Sequence, residues 1–250
     1  MSVSEAFALL ATGTVAGIAS TAASVASVVS YPVLLALGLS PLSANVTNTM
    51  SLVITGAGSV LGSRAELDGQ RARALRLGLI TAVGGGIGAA ILLLAPPGAF
   101  TVVVPVLIGG ASLLLLLQPL MSGLAPRPGT EQSWRHLAAV FCGAIYLGYF
   151  GAAGGVLLLA ILAAMLTEPL IRVNAIKNAI SGTANCAAAI IFAIFAPVRW
   201  SFVPLLAVGF LIGGITGPWL IRRLPTRALR VVVALCGLAL AVKLGISAYR

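Results

Sequence analysis

Apolar residues run along this chain in long blocks, interrupted at intervals by Gly, Pro and charge. The blocks fall at about 5–22, 25–39, 44–63, 74–95 and 99–121, and again at about 135–151, 154–167, 174–196, 200–222 and 227–248. Most approach the roughly 20 residues that a spanning helix needs, which predicts an all-α integral membrane protein, a polytopic helical bundle. Two blocks, 25–39 and 154–167, are shorter, and each follows a stretch rich in small residues, Ser24 to Ser30 and Gly151 to Gly155. Each pair of blocks is then either two short spanning helices or a re-entrant hairpin. Non-helical backbone at that depth persists only where protein or water, not lipid, satisfies it. Both readings give each half an odd number of crossings, five or three, so the second half enters the membrane upside down relative to the first.

The same division shows as a repeat. An offset of 129 residues superposes Asn45 on Asn174, Asn48 on Lys177, Gly84 on Gly213, Gly85 on Gly214 and Gly88 on Gly217. Glycines coincide easily in a chain that has 29 of them, so the weight rests on the rarer asparagines, each of which opens a long apolar block. The expected organisation is a first inverted repeat at 1–121, a cytoplasmic linker at 122–134 and a second inverted repeat at 135–250. Inverted repeats suit secondary transporters because two similar halves of opposite orientation can exchange conformations around one central site.

Composition narrows the class. Of the 250 residues, 60% are hydrophobic and 8% charged, against about a quarter charged in a soluble domain. The net charge of +10, from 15 basic and 5 acidic residues, would suggest nucleic acid in a soluble protein. Here the basic residues sit between apolar blocks, with no basic stripe and interleaved aromatics, so nucleic-acid binding is excluded. One side receives Arg64, Arg71, Arg73, Arg76, Arg127, Arg135, Arg172, Lys177, Arg222, Arg223, Arg227 and Arg230, and the other only Arg199, Lys243 and Arg250. The positive-inside bias then places both termini on the extracytoplasmic side. The preference for Arg over Lys, with abundant Ala and Gly, suggests a bacterial source and hence the inner membrane. The N-terminus has no basic n-region, so the first block is expected to be retained. Cys142, Cys186 and Cys236 are far apart within apolar blocks and are expected as small buried hydrophobes.

Polar side chains inside apolar segments are costly and mark candidate sites. Asn45, Asn48 and Thr49 share one helical face (i, i+3, i+4), and so do Asn174, Lys177, Asn178 and Ser181. Each face begins near a helix N-terminus, where free N–H groups and the positive dipole end favour an anion. Asn185 lies two turns deeper. Competing readings are that Lys177 snorkels to the cytoplasmic surface and that the asparagines bond between helices. Backbone near a substrate is expected at the breaks, around Ser27, Ser30 and Tyr31 and around Gly151, Gly154 and Gly155. Tyr146, Tyr149 and Phe150 would line the site or fill gaps. The Gly pairs 13/17, 58/62, 84/88 and 213/217, four apart, are read as packing. His136 is the only histidine, and Glu5, Glu66, Asp68, Glu131 and Glu168 all lie outside the blocks or at their edges, so neither a metal site nor catalysis is expected.

These stretches resemble the TauE/SafE family of sulfite exporter-type membrane permeases. YPVLLALGLSPLSANVTNTMSLV (Tyr31 to Val53) is similar to the family's N-terminal hallmark. IYLGYFGAAGGVLLLAIL (Ile145 to Leu162) followed by RVNAIKNAISGTAN (Arg172 to Asn185) is similar to the second, as is the run from Val208 through Gly213, Gly214 and Gly217 to Val231. The family tends to carry more glycine at the first break than Ser24, Ala26 and Ser27 provide. The resemblance implies a permease for a small anion, a sulfur oxyanion or organosulfonate such as sulfite or sulfoacetate, with Asn45, Asn48, Asn174, Lys177 and Asn178 as the residues carried over. The expectation is therefore an alternating-access anion transporter in a lipid bilayer, without a cofactor. A coupling ion (proton or sodium) and a homodimer stay open. A non-transporting membrane scaffold or assembly factor is the competing class.

Overall fold

In a computed structural model the chain is described except for residues 1, 24, 97, 122–132, 222–225 and 249–250. Most of the linker, Ser24, Arg127, Glu131, Arg222, Arg223 and Arg250 therefore lie outside the described residues, as do the side chains of Arg227 and Arg230 and the details at Gly58, Gly62 and Gly217.

The described residues form ten α-helices and no strand: α1 (Val3–Ala23), α2 (Ala26–Ala36), α3 (Pro41–Gly62), α4 (Arg71–Leu94), α5 (Ala99–Met121), α6 (Trp134–Tyr149), α7 (Gly154–Met165), α8 (Leu170–Phe195), α9 (Val203–Ile221) and α10 (Thr226–Ala248). Each answers to one apolar block of the sequence. The spans Val3–Ser20, Arg71–Leu94, Ala99–Leu117 and Ile171–Phe195 are long and apolar enough to cross a membrane. Large apolar side chains such as Leu79, Val106, Ile190 and Ile215 remain exposed along the helices, an arrangement that lipid satisfies and water does not. The protein is thus a multi-pass membrane protein. At the start of α1, Glu5 and Ser2 cap each other: the Ser2 N–H donates to Glu5 Oε2 at 2.7 Å and the Glu5 N–H to Ser2 Oγ at 3.1 Å.

At about 1.5 Å per residue, the 11 residues of α2 and 12 of α7 reach little more than half of a hydrocarbon core about 30 Å thick. Neither crosses alone. α1 ends at Ala23 and α2 begins at Ala26, and Tyr31 and Pro32 lie well inside α2 rather than directly at the first break. The second spans 150–153 and contains two left-handed residues, Gly151 (φ 75°) and Ala153 (φ 53°). Ala153 is the one described residue other than glycine with positive φ, a conformation that costs an L-residue about 1–2 kcal/mol. The Tyr146 hydroxyl holds this turn, donating to Ala152 O at 2.6 Å.

The most extensive helix pairings survive adding five to each helix number and counting round. α1 packs along α9 as α6 packs along α4; α1·α2 and α2·α3 answer to α6·α7 and α7·α8; α3·α8 and α5·α10 map onto themselves. Glycine makes the α1·α9 seam close. A Cβ at Gly13 would stand 2.5 Å from Leu206 O, and one at Gly209 2.6 Å from Leu10 O. Gly84 and Gly88 approach α6 in the same way. The glycine spacing expected to serve packing does so at 13/17, 84/88 and 213.

Two sequence expectations are corrected. Cys142, Cys186 and Cys236 are free thiols on exposed positions, so they sit on outward helix faces instead of filling the core. Lys177, counted with the cytoplasmic cations, is only 4% exposed; it does not snorkel to a surface.

Candidate substrate site

α3 and α8 cross with almost no side chain between them. Gly56 faces Gly182 there, and a Cβ on Gly56 would lie 3.1 Å from Gly182 Cα. The crossing lies half-way along α8, at mid-membrane depth if α8 spans. Beside it is a cavity of about 80 Å³, room for several waters or a small ion. α8 contributes Lys177, Asn178, Ser181 and Asn185 to its wall, and α3 contributes Leu52 and Thr55. The two breaks close it, one with Ala26 and Ser27, the other with Gly151 and Gly155.

The chemistry of this wall suits an anion. Both short helices begin at it, and neither Val25 nor Ala153, their N-cap residues, caps its helix with a side chain. Unshared N–H groups and the positive ends of two helix dipoles are thus presented at one place. The buried ammonium of Lys177 adds a full charge. Thr55 Oγ1 and Ser181 Oγ are shielded from solvent and have no hydrogen-bond partner within the protein. Buried polar atoms seldom stay unsatisfied, so these hydroxyls are donors held for a ligand or water. Thr55 was missed by reading the sequence, although it lies one turn beyond the SANVTNTMS string and continues the Asn48 face at i+7. Among the described residues no group of three His, Cys, Asp or Glu side chains comes together as a metal would require.

The residues expected from sequence therefore separate into two groups. Lys177, Asn178, Asn185, Ser27, Gly151 and Gly155 meet at the cavity. The α3 asparagines do not line it and hold helices together. Asn48 Nδ2 donates to Ser27 Oγ at 3.0 Å, and Asn48 Oδ1 accepts from Ser30 Oγ at 2.6 Å, pinning α2 to α3. Asn45 Nδ2 donates to Tyr149 O at 2.9 Å, satisfying a carbonyl at the end of α6. Thr49 turns its hydroxyl back to Asn45 O at 3.0 Å. Asn174 is half-buried in the first turns of α8, and Gly154 packs on Leu147; neither borders the cavity. Tyr31 is buried edge-on against Phe150 (ring centroids 5.3 Å apart), and Phe150 and Tyr149 both meet Phe100. The aromatic residues near the breaks thus fill gaps between helices.

The sulfite exporter TauE/SafE family matches residues 9–244, nearly the whole chain. The protein belongs to this family. Membership in TauE/SafE makes it a membrane transport protein, in keeping with a polar cavity enclosed by apolar helices. Comparisons with curated proteins and with solved structures find no match.

Proposed function

We propose that this TauE/SafE protein is an alternating-access carrier of a small oxyanion, a sulfur oxyanion such as sulfite or an organosulfonate such as sulfoacetate, and that the α3–α8 cavity is its binding site. The reading is carried by the convergence on that cavity of a buried lysine, two uncapped half-helix starts and two orphan hydroxyls. Lys177 supplies the charge. The N–H groups at the starts of α2 and α7, with Asn178, Asn185, Ser181 and Thr55, replace the anion's water shell. An anion gives up its water shell in such a site only because these donors are already in place.

The scaffold is read as two inverted repeats, 1–121 and 135–250, joined by the segment 122–134. One pair of hydrogen bonds supports the register. Ser43 Oγ donates to Pro197 O at 2.8 Å, and Arg172 Nη2 donates to Asp68 O at 2.6 Å. Adding 129 to 43 and to 68 gives 172 and 197, so one contact maps onto the other. Loop charge favours the inner membrane of a bacterium with both termini outside and the Arg172 side in the cytoplasm. A carrier rather than an enzyme is the reading throughout.

The test is uptake into proteoliposomes of labelled sulfite, sulfate, sulfoacetate and taurine. The proposal expects saturable flux of at least one of the anionic species and none of zwitterionic taurine. Flux of none of them, by protein shown to be folded, would remove the assignment.

A further inference from the structure

A second cavity opens where three helices end on the Arg172 side. It has a volume of about 290 Å³ and lies between the first turns of α4, the first turn of α6 and the last turn of α7. Its walls divide by chemistry: Leu77, Leu137, Met165 and Leu166 are apolar, while Arg73 and Arg76 bring two guanidinium groups. Among the described residues no acid lines it, although Glu168 reaches Arg73 at 3.4 Å. Trp134 starts α6 beside it, 73% exposed and stacked with the Arg135 guanidinium at 5.9 Å. An exposed Trp next to cations at helix ends marks the headgroup level of a bilayer.

A soluble anion needs no apolar wall, and an acyl chain needs no arginines. A molecule with both parts is a membrane phospholipid, and a basic pocket between spanning helices on the cytoplasmic side is where anionic headgroups bind. The geometry points to a binding site for an anionic glycerophospholipid, its phosphate between Arg73 and Arg76 and the start of its acyl chains against Leu77, Leu137 and Met165. This site is separate from the α3–α8 cavity, shares no residue with it, and stands whether or not that cavity carries the transported anion.

Arg73 also bonds Gln70 Oε1 at 2.7 Å as well as Glu168, so Arg76, which is exposed, is the residue to change. The full-length protein in detergent would be titrated with dioleoyl phosphatidylglycerol or dioleoyl phosphatidylcholine and bound lipid counted by native mass spectrometry. The first lipid should bind more tightly as phosphatidylglycerol than as phosphatidylcholine, and R76Q should reduce that preference about five-fold, the worth of one arginine at a membrane surface. R71Q, one turn away on the same helix and outside the cavity, should leave it unchanged. Equal binding of the two lipids, or an equal loss in R71Q and R76Q, would overturn the site in favour of a diffuse positive surface. Displacement of phosphatidylglycerol by equimolar inorganic phosphate would overturn the lipid assignment in favour of a free anion.

Discussion

α3 and α8 cross each other and hold matching places in the helix pairing, yet their polar residues point to different neighbours. On α3, Asn45 and Asn48 give their amides to Tyr149, Ser27 and Ser30. On α8, Lys177, Asn178, Ser181 and Asn185 face the cavity. The loop contacts differ in kind as well. The α3 end is fastened by the neutral Ser43–Pro197 bond and by the Arg199 N–H donating to Thr47 Oγ1 at 3.0 Å. The α8 end is fastened by a guanidinium: Arg172 reaches Asp68 O, Glu66 O at 3.3 Å and the Glu168 carboxylate at 3.0 Å. The correspondence shows in the helix pairing, whereas the polar side chains that line the cavity come mostly from one helix. An anion needs one net positive centre, and duplicating Lys177 at position 48 would set two buried like charges against each other.

The comparison can be broken first at Asn48. N48A leaves the buried Ser27 hydroxyl without its partner and Ser30 with only its bond to Ala26 O, and should cost about 1–3 kcal/mol of stability. K177A changes the cavity wall but leaves α2 and α3 tied through Asn48, so it should melt no lower than N48A when both are followed by thermal unfolding in detergent. The loop fastenings come next. R172A loses charge-assisted bonds and should destabilise by about 1.5–3 kcal/mol, while S43A loses one neutral bond and should cost about 0.5–1.5 kcal/mol. Raising salt should narrow the gap between these two variants in the same unfolding assay.

Smaller effects test the cavity wall. T55V and S181A each remove one donor and should raise the half-saturating anion concentration about three- to ten-fold with the maximal rate largely kept; a change in rate alone would place these hydroxyls outside the site. The smallest effect is expected at the second break. A153G relieves a left-handed alanine but adds unfolded-state freedom, so the net gain should be about 0.5 kcal/mol or less, read as a slightly higher melting temperature.

Much of this was legible in the sequence. Block length and the punctuation by Gly, Pro and charge located all ten helices, because lipid demands unbroken apolar helices and leaves few alternatives. The offset of 129 read from Asn45 and Asn174 also relates Ser43 to Arg172 and Asp68 to Pro197, the partners in two hydrogen bonds. What the sequence did not separate was cavity from seam. Asn48 and Lys177 look equivalent in spacing, and only the positions of Ser27 and Ser30 on the facing helix turn Asn48 into a structural tie. Thr55 stayed hidden because a hydroxyl in a membrane helix ordinarily bonds its own backbone, as Thr49 and Ser51 do. The cysteines were misplaced because their small size suits a core and a lipid-facing surface equally.

On the proposed function, the anion binds at the Lys177 cavity while the matching α3 position serves the scaffold. Labelled-anion flux per folded molecule in proteoliposomes, compared among wild type, K177A and N48A, tests it most directly. K177A should be folded but carry no anion, and N48A, though less stable, should retain most of its flux. Sustained flux in K177A, or flux lost in N48A at full folding, would contradict it.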